Sequence, residues 1–197
     1  MNHLAHFALV LHLASPTTRV AFIGSGTLDP DNTGARRFGF RGGRYTSARQ
    51  LAAGESDPAA NAAQIGRDRY ATSKLLNLLT VQALAKRGLD AFAFDPGLMP
   101  GTGLARNYSA VMRFAWNTRV AALFMRGAST PKRSGEALAH YMTSEITRGG
   151  YYEFTRKPMA LPAVAQNAAH AEELYLASLA LAGFAADPLA ARSNAAI

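Results

Sequence analysis

The sequence predicts an α/β fold built on a parallel sheet, and three observations carry that prediction. Short apolar runs of strand length alternate with helical stretches along the 197 residues. The first two runs close on turn formers, Gly24-Ser25 and Asp95-Pro96-Gly97. Hydrophobic residues make up 49% of the chain, enough for the core of one domain of ordinary size.

The opening stretch is apolar nearly all round, at Leu4, Phe7, Leu9, Val10, Leu11 and Leu13, which predicts a helix buried on most sides. It is too short to span a bilayer, which takes about 20 residues. No Lys or Arg precedes it, as a secretory leader would require. Ser15-Pro16 ends it, because the residue before proline avoids the helical region. RVAFIGS then reads as a buried strand. Residues 26–66, rich in Gly, Asp, Arg and Ala, read as a long irregular insertion with room for a short helix in ARQLAAGE. Residues 67–87, RDRYATSKLLNLLTVQALAKR, predict a strong helix with Leu75, Leu78, Leu79, Val81 and Leu84 as its apolar stripe and Gly88 as its stop. LDAFAFDPG is a second buried strand. Helices are expected over 109–125 and in SGEALAHYMTS (134–144), a third strand in GGYYEFTRK, and a final amphipathic helix over 167–183.

Strands alternating with helices imply right-handed crossovers. A doubly wound sheet has about six strands or more, whereas this pattern gives three and begins on a helix. The chain therefore reads as one partial domain over 1–197, the C-terminal half of such a sheet.

Charge and composition narrow the function classes. The net charge is +8, and the densest basic cluster is Arg36, Arg37, Arg41, Arg44 and Arg49. Charge alone attracts phosphate without specificity, and no zinc-finger spacing or aromatic ribonucleoprotein motif accompanies it, so no nucleic-acid partner is expected. The chain has no cysteine, which removes disulfides, thiolate metal sites and Cys nucleophiles and fits a reducing compartment such as the cytoplasm. His3, His6, His12, His140 and His170 do not cluster with carboxylates, so they read as structural and no metal is expected.

The chemistry resides in YATSK, Tyr70 to Lys74. On a helix, residues i and i+4 share a face, which sets a phenol beside an ammonium. A nearby positive charge favours the phenolate and lowers the tyrosine pKa from about 10. The phenol can then exchange a proton with an alcohol or carbonyl oxygen. Alone, the spacing is common: about one chain in three of this length shows it by chance, and its plain reading is a solvated helix face. Its companions carry the weight. Ser25 ends the first strand, where a hydroxyl can polarise a carbonyl. Pro96-Gly97 end the second, followed by Thr102, and ligands of parallel sheets bind at the carboxyl ends of strands. Asn2 lies at the opening helix, where its plain reading is an N-cap.

NHLAHF, VAFIGS, YATSKLLN and DPGLMPGTGL, in that order, resemble the short-chain dehydrogenase/reductase family. Within it, the chain looks most like the retinol-dehydrogenase-like and protochlorophyllide-reductase-like members, which also carry long insertions before the tyrosine. The resemblance spans nearly the whole chain. It implies a Rossmann-type fold and an NAD(P)-dependent oxidoreductase that moves hydride between nicotinamide and a carbonyl or alcohol carbon. Tyr70 would be the proton donor or acceptor, and Lys74 would hold the nicotinamide ribose and lower the Tyr70 pKa. Ser25 would orient the substrate carbonyl. Asn2 would anchor a proton-relay water beside the lysine. Pro96, Gly97 and Thr102 would line the cofactor, although Thr102 stands one position later than the family's threonine. An apolar substrate is expected, walled by the insertion and the 99–125 segment. A homo-oligomer through helices 1–14 and 67–87 is a further implication.

No G-x-x-x-G-x-G or G-x-G-x-x-G turn occurs in the sequence, so the residues that would choose NAD or NADP are not present. The closest relatives by resemblance lean toward NADP. The expectation is that the first βαβ units, on the order of 90 residues or more, are missing before Met1. The alternative to an enzyme is an inactive truncated remnant or an interaction module lacking a dinucleotide site.

Overall fold

The computed structural model describes residues 2–15, 17–99 and 128–193. The described residues form an α/β layer structure around a four-stranded, mostly parallel open sheet. Helix α1 (Leu4–Leu13) leads into strand β1 (Arg19–Ile23). After β1 come a 3-10 turn (Gly26–Leu28), α2 (Thr33–Arg37), α3 (Ala48–Ala52) and the long α4 (Ala62–Lys86). The chain continues through β2 (Asp90–Asp95), α5 (Pro131–Thr143), β3 (Tyr151–Glu153), β4 (Pro158–Met159), α6 (Ala168–Leu181) and α7 (Pro188–Ser193). The expected helix over 109–125 lies outside the described residues.

The strand order is β1-β2-β3-β4. β1 and β2 run parallel with Arg19 opposite Asp90 and Ile23 opposite Phe94. β2 and β3 run parallel with Asp95 opposite Glu153. The alternation DAFAFD explains why β2 is central: its period of two sends Ala91 and Ala93 to one face and Phe92 and Phe94 to the other. The alanines pack with Phe22, Tyr151, Leu75, Leu78, Leu79 and Tyr175 under α4 and α6. The phenylalanines pack with Ala137, Tyr141, Tyr152 and Phe154 under α5. A strand covered on both faces reads as a continuous apolar run, as this one does.

Several expectations change in detail. α4 begins at Ala62, five residues before the expected start, so the insertion ends earlier than 66. The Asn61 side chain caps it, accepting from Gln64 N at 2.9 Å. Gly66 inside the first turns costs about 1 kcal/mol relative to Ala, and Gln64 offsets this by bonding to Asp68 and to the Gly39 carbonyl. The insertion is also less irregular than expected. Asn32 and Ser47 cap α2 and α3, and the Gly43 amide bonds to the Leu28 carbonyl at 2.8 Å.

GGYYEFTRK is not one strand. The chain turns at Arg156, which has φ +62, and β4 returns antiparallel to β3. The sheet therefore has four strands where three were expected. Nor is α1 buried on most sides. Phe7 and Leu11, one turn apart, enter the core beside α6, with Phe7 edge-on to the Tyr175 ring at 5.3 Å. Leu9 and Leu13 stay 55% and 71% exposed. Among the described residues, β1 pairs only with β2, and no helix is long and apolar enough to cross a membrane.

Candidate active site

Tyr70, Lys74 and Asn77 lie on one face of α4, as the i, i+4, i+7 spacing requires. That face turns toward the carboxyl ends of β1 and β2. Lys74 Nζ donates to the Ile23 carbonyl at 3.1 Å and sits 5.5 Å from the centroid of the Tyr70 ring. Asn77 Nδ2 donates to the same carbonyl, also at 3.1 Å. Ile23 is the last residue of β1, so the two bonds fix α4 against the tip of that strand.

Ser25 follows at the next turn. It is the N-cap of the short 3-10 segment, and its hydroxyl accepts from the Thr27 amide at 3.3 Å and the Thr27 hydroxyl at 3.1 Å. The same hydroxyl bears on the Tyr70 phenol closely enough to favour its ionised form. The structure thus brings Tyr70, Lys74 and Ser25 together.

Pro96 and Gly97 close β2 beside them. Gly97 adopts φ +73, a conformation that favours glycine, and its amide bonds to Asp95 Oδ1 at 2.8 Å. Ser134 Oγ donates to the Pro96 carbonyl at 2.6 Å, which anchors the turn to the start of α5. Thr102 lies outside the described residues.

The electrostatics differ from expectation in one respect. Lys74 was expected to lower the Tyr70 pKa, yet the phenol is pushed up. Burial is the largest cause, the Ser25 hydroxyl pulls it back, and the Asp95 carboxylate pushes it up again. The geometry explains this: the ammonium lies over the ring and spends a donor on Ile23, not on the phenol oxygen. Lys74 itself is pulled down by burial and raised by Asp95.

Asn2 is the candidate that the structure does not bring to this face. It is exposed and precedes α1, and its carbonyl bonds to His6 Nδ1 at 3.1 Å. It lines a cavity of about 580 Å³ with Thr72, Leu76 and Ile65, residues on the other side of α4 from Tyr70. The amide beside Lys74 is that of Asn77, which the sequence reading passed over. Its signal was a lone Asn inside a leucine-rich stripe. Asp95 was likewise read only as a turn residue. Its carboxyl is half-buried at the tip of β2, pushed up by desolvation and lowered by the Gly97 and Gly26 amides and the Tyr151 hydroxyl.

The insertion supplies one wall of the site. The Phe40 ring lies 6.0 Å from the Tyr70 ring. Phe40 also borders an open cavity of about 600 Å³ with Pro30, Arg36, Arg41 and Gln64, and residues 100–125 of the other expected substrate wall lie outside the described residues. Among the described residues, no group of three His, Asp or Glu side chains could hold a metal ion.

A lysine and a tyrosine so placed, with a serine hydroxyl at the phenol, can pass a proton to or from a bound oxygen. No family model matches the chain, and no curated protein matches it.

Proposed function

We propose that the chain carries the acid–base site of an NAD(P)-dependent oxidoreductase of the short-chain dehydrogenase/reductase type, on the C-terminal half of a Rossmann-type sheet. The observation that supports this reading is the convergence of Tyr70, Lys74 and Ser25 at the ends of two parallel strands, where open α/β sheets bind their ligands. A cytoplasmic site of action accompanies the proposal.

The residues fit the nicotinamide end of such a cofactor. Lys74 spends one of its three donors on Ile23, which leaves two for ribose hydroxyls. Pro96 and Gly97 present a turn whose glycine carries no side chain. A Gly-rich turn for the pyrophosphate is not found among the described residues, so the fit covers only this end. When bound, the nicotinamide supplies or accepts hydride at the substrate carbon. Tyr70 donates its hydroxyl proton to the carbonyl oxygen in reduction and takes it back in oxidation. Ser25 orients that oxygen by hydrogen bonding, and Phe40 offers an aromatic surface to an apolar substrate with a polar rim.

The test is NADPH oxidation by the purified chain with a panel of apolar aldehydes and ketones, beside Tyr70→Phe. Loss of a general acid lowers the rate about 10²–10⁴-fold. Turnover at equal rates in the two proteins would overturn the proposal. A second reading, a non-catalytic interaction module, is favoured by the exposed Leu9 and Leu13 of α1 and by β1, which pairs only with β2 among the described residues. Self-association without turnover is the result that would select it.

A further inference from the structure

A cavity of about 580 Å³ lies among the start of α1, α3, α4 and α6. It is separate from the site of Tyr70. From α4 it takes Ile65, Thr72 and Leu76, on the side of that helix turned away from Tyr70. Its volume falls in the range of small-molecule pockets, about 300–1,000 Å³. Four helices supply its apolar lining: Leu4 from α1, Leu51 from α3, Ile65 and Leu76 from α4, and Leu174 and Leu181 from α6. Leu174 is buried at the bottom, whereas Leu181 at the outside is left 53% exposed. The polar groups at the bottom are satisfied within the protein. His3 and Ser178 are both buried there, with Nε2 3.0 Å from Oγ. The interior therefore suits a hydrocarbon, which needs no hydrogen-bond partner.

The rim is charged, and its charges are unevenly paired. Asp57 accepts from Arg41 and the Ala59 amide, and Asp68 accepts from Arg41 and Gln64. Arg44 and Arg69 also line the rim, and both are exposed. Neither has an ion pair among the described residues. Backbone contacts hold both in place. The Arg44 amide donates to Thr72 Oγ1 at 3.2 Å, and Arg69 Nη2 donates to the Gly54 carbonyl at 3.0 Å. Against these two cations stands one carboxylate of the lining without an ion pair among the described residues, the exposed Glu55.

We propose that this cavity is a second binding site, for an acyl-chain carboxylate: the hydrocarbon lies on the leucine and isoleucine side chains, and the carboxylate meets Arg44 and Arg69. A guanidinium presents paired N–H donors that match the two oxygens of a carboxylate. A neutral amphiphile gains only the apolar contact, and a cationic one meets like charge. Neither nicotinamide nor turnover enters this proposal, so it stands or falls apart from the oxidoreductase reading.

The experiment is calorimetric titration of the full chain at low salt with decanoate, 1-decanol and decyltrimethylammonium, each below its micelle concentration. One decanoate per chain is expected, bound about 5-fold or more tighter than either of the others. In the double variant Arg44→Gln/Arg69→Gln, decanoate is expected to weaken about 5-fold, the scale of two exposed ion pairs, and 1-decanol to bind as before. No saturable decanoate binding, equal affinity for all three chains, or wild-type affinity in the double variant would overturn the proposal. A readout on the wild-type chain covers the case in which the double variant fails to fold. With leucine and isoleucine methyl labels, decanoate is expected to move the NMR signals of Leu51, Ile65 and Leu76 and to leave the Tyr70 ring signals in place. Shifts centred on Tyr70 would assign the ligand to the other site and sink the proposal. Methyl signals that move with chain concentration and not with decanoate would show a second copy of the chain in the groove, which sinks it equally.

Discussion

Lys74 and Asn77 donate to one and the same oxygen, the carbonyl of Ile23, each at 3.1 Å. A carbonyl has two lone pairs, so neither bond excludes the other. Asn77 is buried, and its Oδ1 has no hydrogen-bond partner. Asn77→Leu therefore removes an orphaned acceptor along with the bond, while Ile23 keeps Lys74. The expected change in stability is less than about 1 kcal/mol. In Asn77→Leu combined with Lys74→Met, Ile23 loses both donors. That double variant is expected to lose about 1 kcal/mol more than the sum of the single variants. Urea unfolding of the four proteins in the cycle measures the coupling, and strict additivity would show that the two bonds act independently.

His3 gives the fold a pH dependence of predictable sign. It is buried between α4 and α6, with Nε2 3.0 Å from Ser178 Oγ and Nδ1 3.5 Å from Thr80 Oγ1. Burial pulls its pKa down from 6.5 to about 4. The folded chain thus holds His3 neutral where the unfolded chain binds a proton. Stability is full above pH 6.5 and falls as the pH drops through the window toward 4. Between pH 7 and pH 5 the loss assigned to His3 is about 2 kcal/mol. His3→Gln keeps a polar partner for Ser178 and removes the titration. The urea midpoints of wild type and His3→Gln should diverge at pH 7 and converge toward pH 5. A constant gap would show that His3 does not titrate in this range. Comparing the two proteins cancels the carboxylates, whose shifts go in both directions.

Gly43 brings the insertion against α4 at close range. A Cβ there would meet Leu75 Cβ at 2.7 Å and the Ala71 carbonyl at 2.9 Å, and the helix backbone cannot yield. Gly43→Ala is expected to destabilise the chain by about 1–3 kcal/mol. It should also lift the segment that carries Phe40 away from Tyr70. Thermal unfolding reads the first effect. The second should appear as a change in the Tyr70 ring signals, because the Phe40 ring current acts on them. A Gly43→Ala variant as stable as wild type would show that the insertion packs elsewhere.

Parts of this fold were open to inspection in the sequence because they rest on local periodicity. Phe92 and Phe94 alternate with Ala91 and Ala93, and a strand buried on both faces can be read from that alone. Tyr70 and Lys74 share a face because helix geometry allows nothing else at that spacing. Other parts depend on partners far along the chain. Leu9 and Leu13 look no different from Leu11, and only the position of α6 decides which of them is buried. Arg156 adopts a left-handed turn that its residue type does not announce, so the β3–β4 reversal was missed. The earlier start of α4 was readable: Asn61 followed three residues later by Gln64 is a capping pattern. Asp95 passed as a turn former because nothing in DPG reveals that Tyr151 and Gly26 converge on its carboxyl.

Arg87 ties the end of α4 to the C-terminal helices through three kinds of contact at once. Its guanidinium bonds both oxygens of Glu172, at 2.7 and 3.1 Å, and Asp187 Oδ2 at 3.0 Å. It lies 3.6 Å from the centroid of the Tyr175 ring, whose hydroxyl bonds Asp187 Oδ1 at 2.7 Å. A planar fork can meet two carboxylates and stack on a ring in one pose, whereas an ammonium cannot. Arg87→Lys is therefore expected to behave as a disruptive change, costing about 2 kcal/mol, although the charge is kept. The loss should shrink in high salt, where the ion pairs of wild type are screened while the ring contact persists. Tyr175 fluorescence and the urea midpoint, measured at low and high salt, test both statements. If Arg87→Lys matches wild type at low salt, a point charge suffices and the fork geometry contributes nothing.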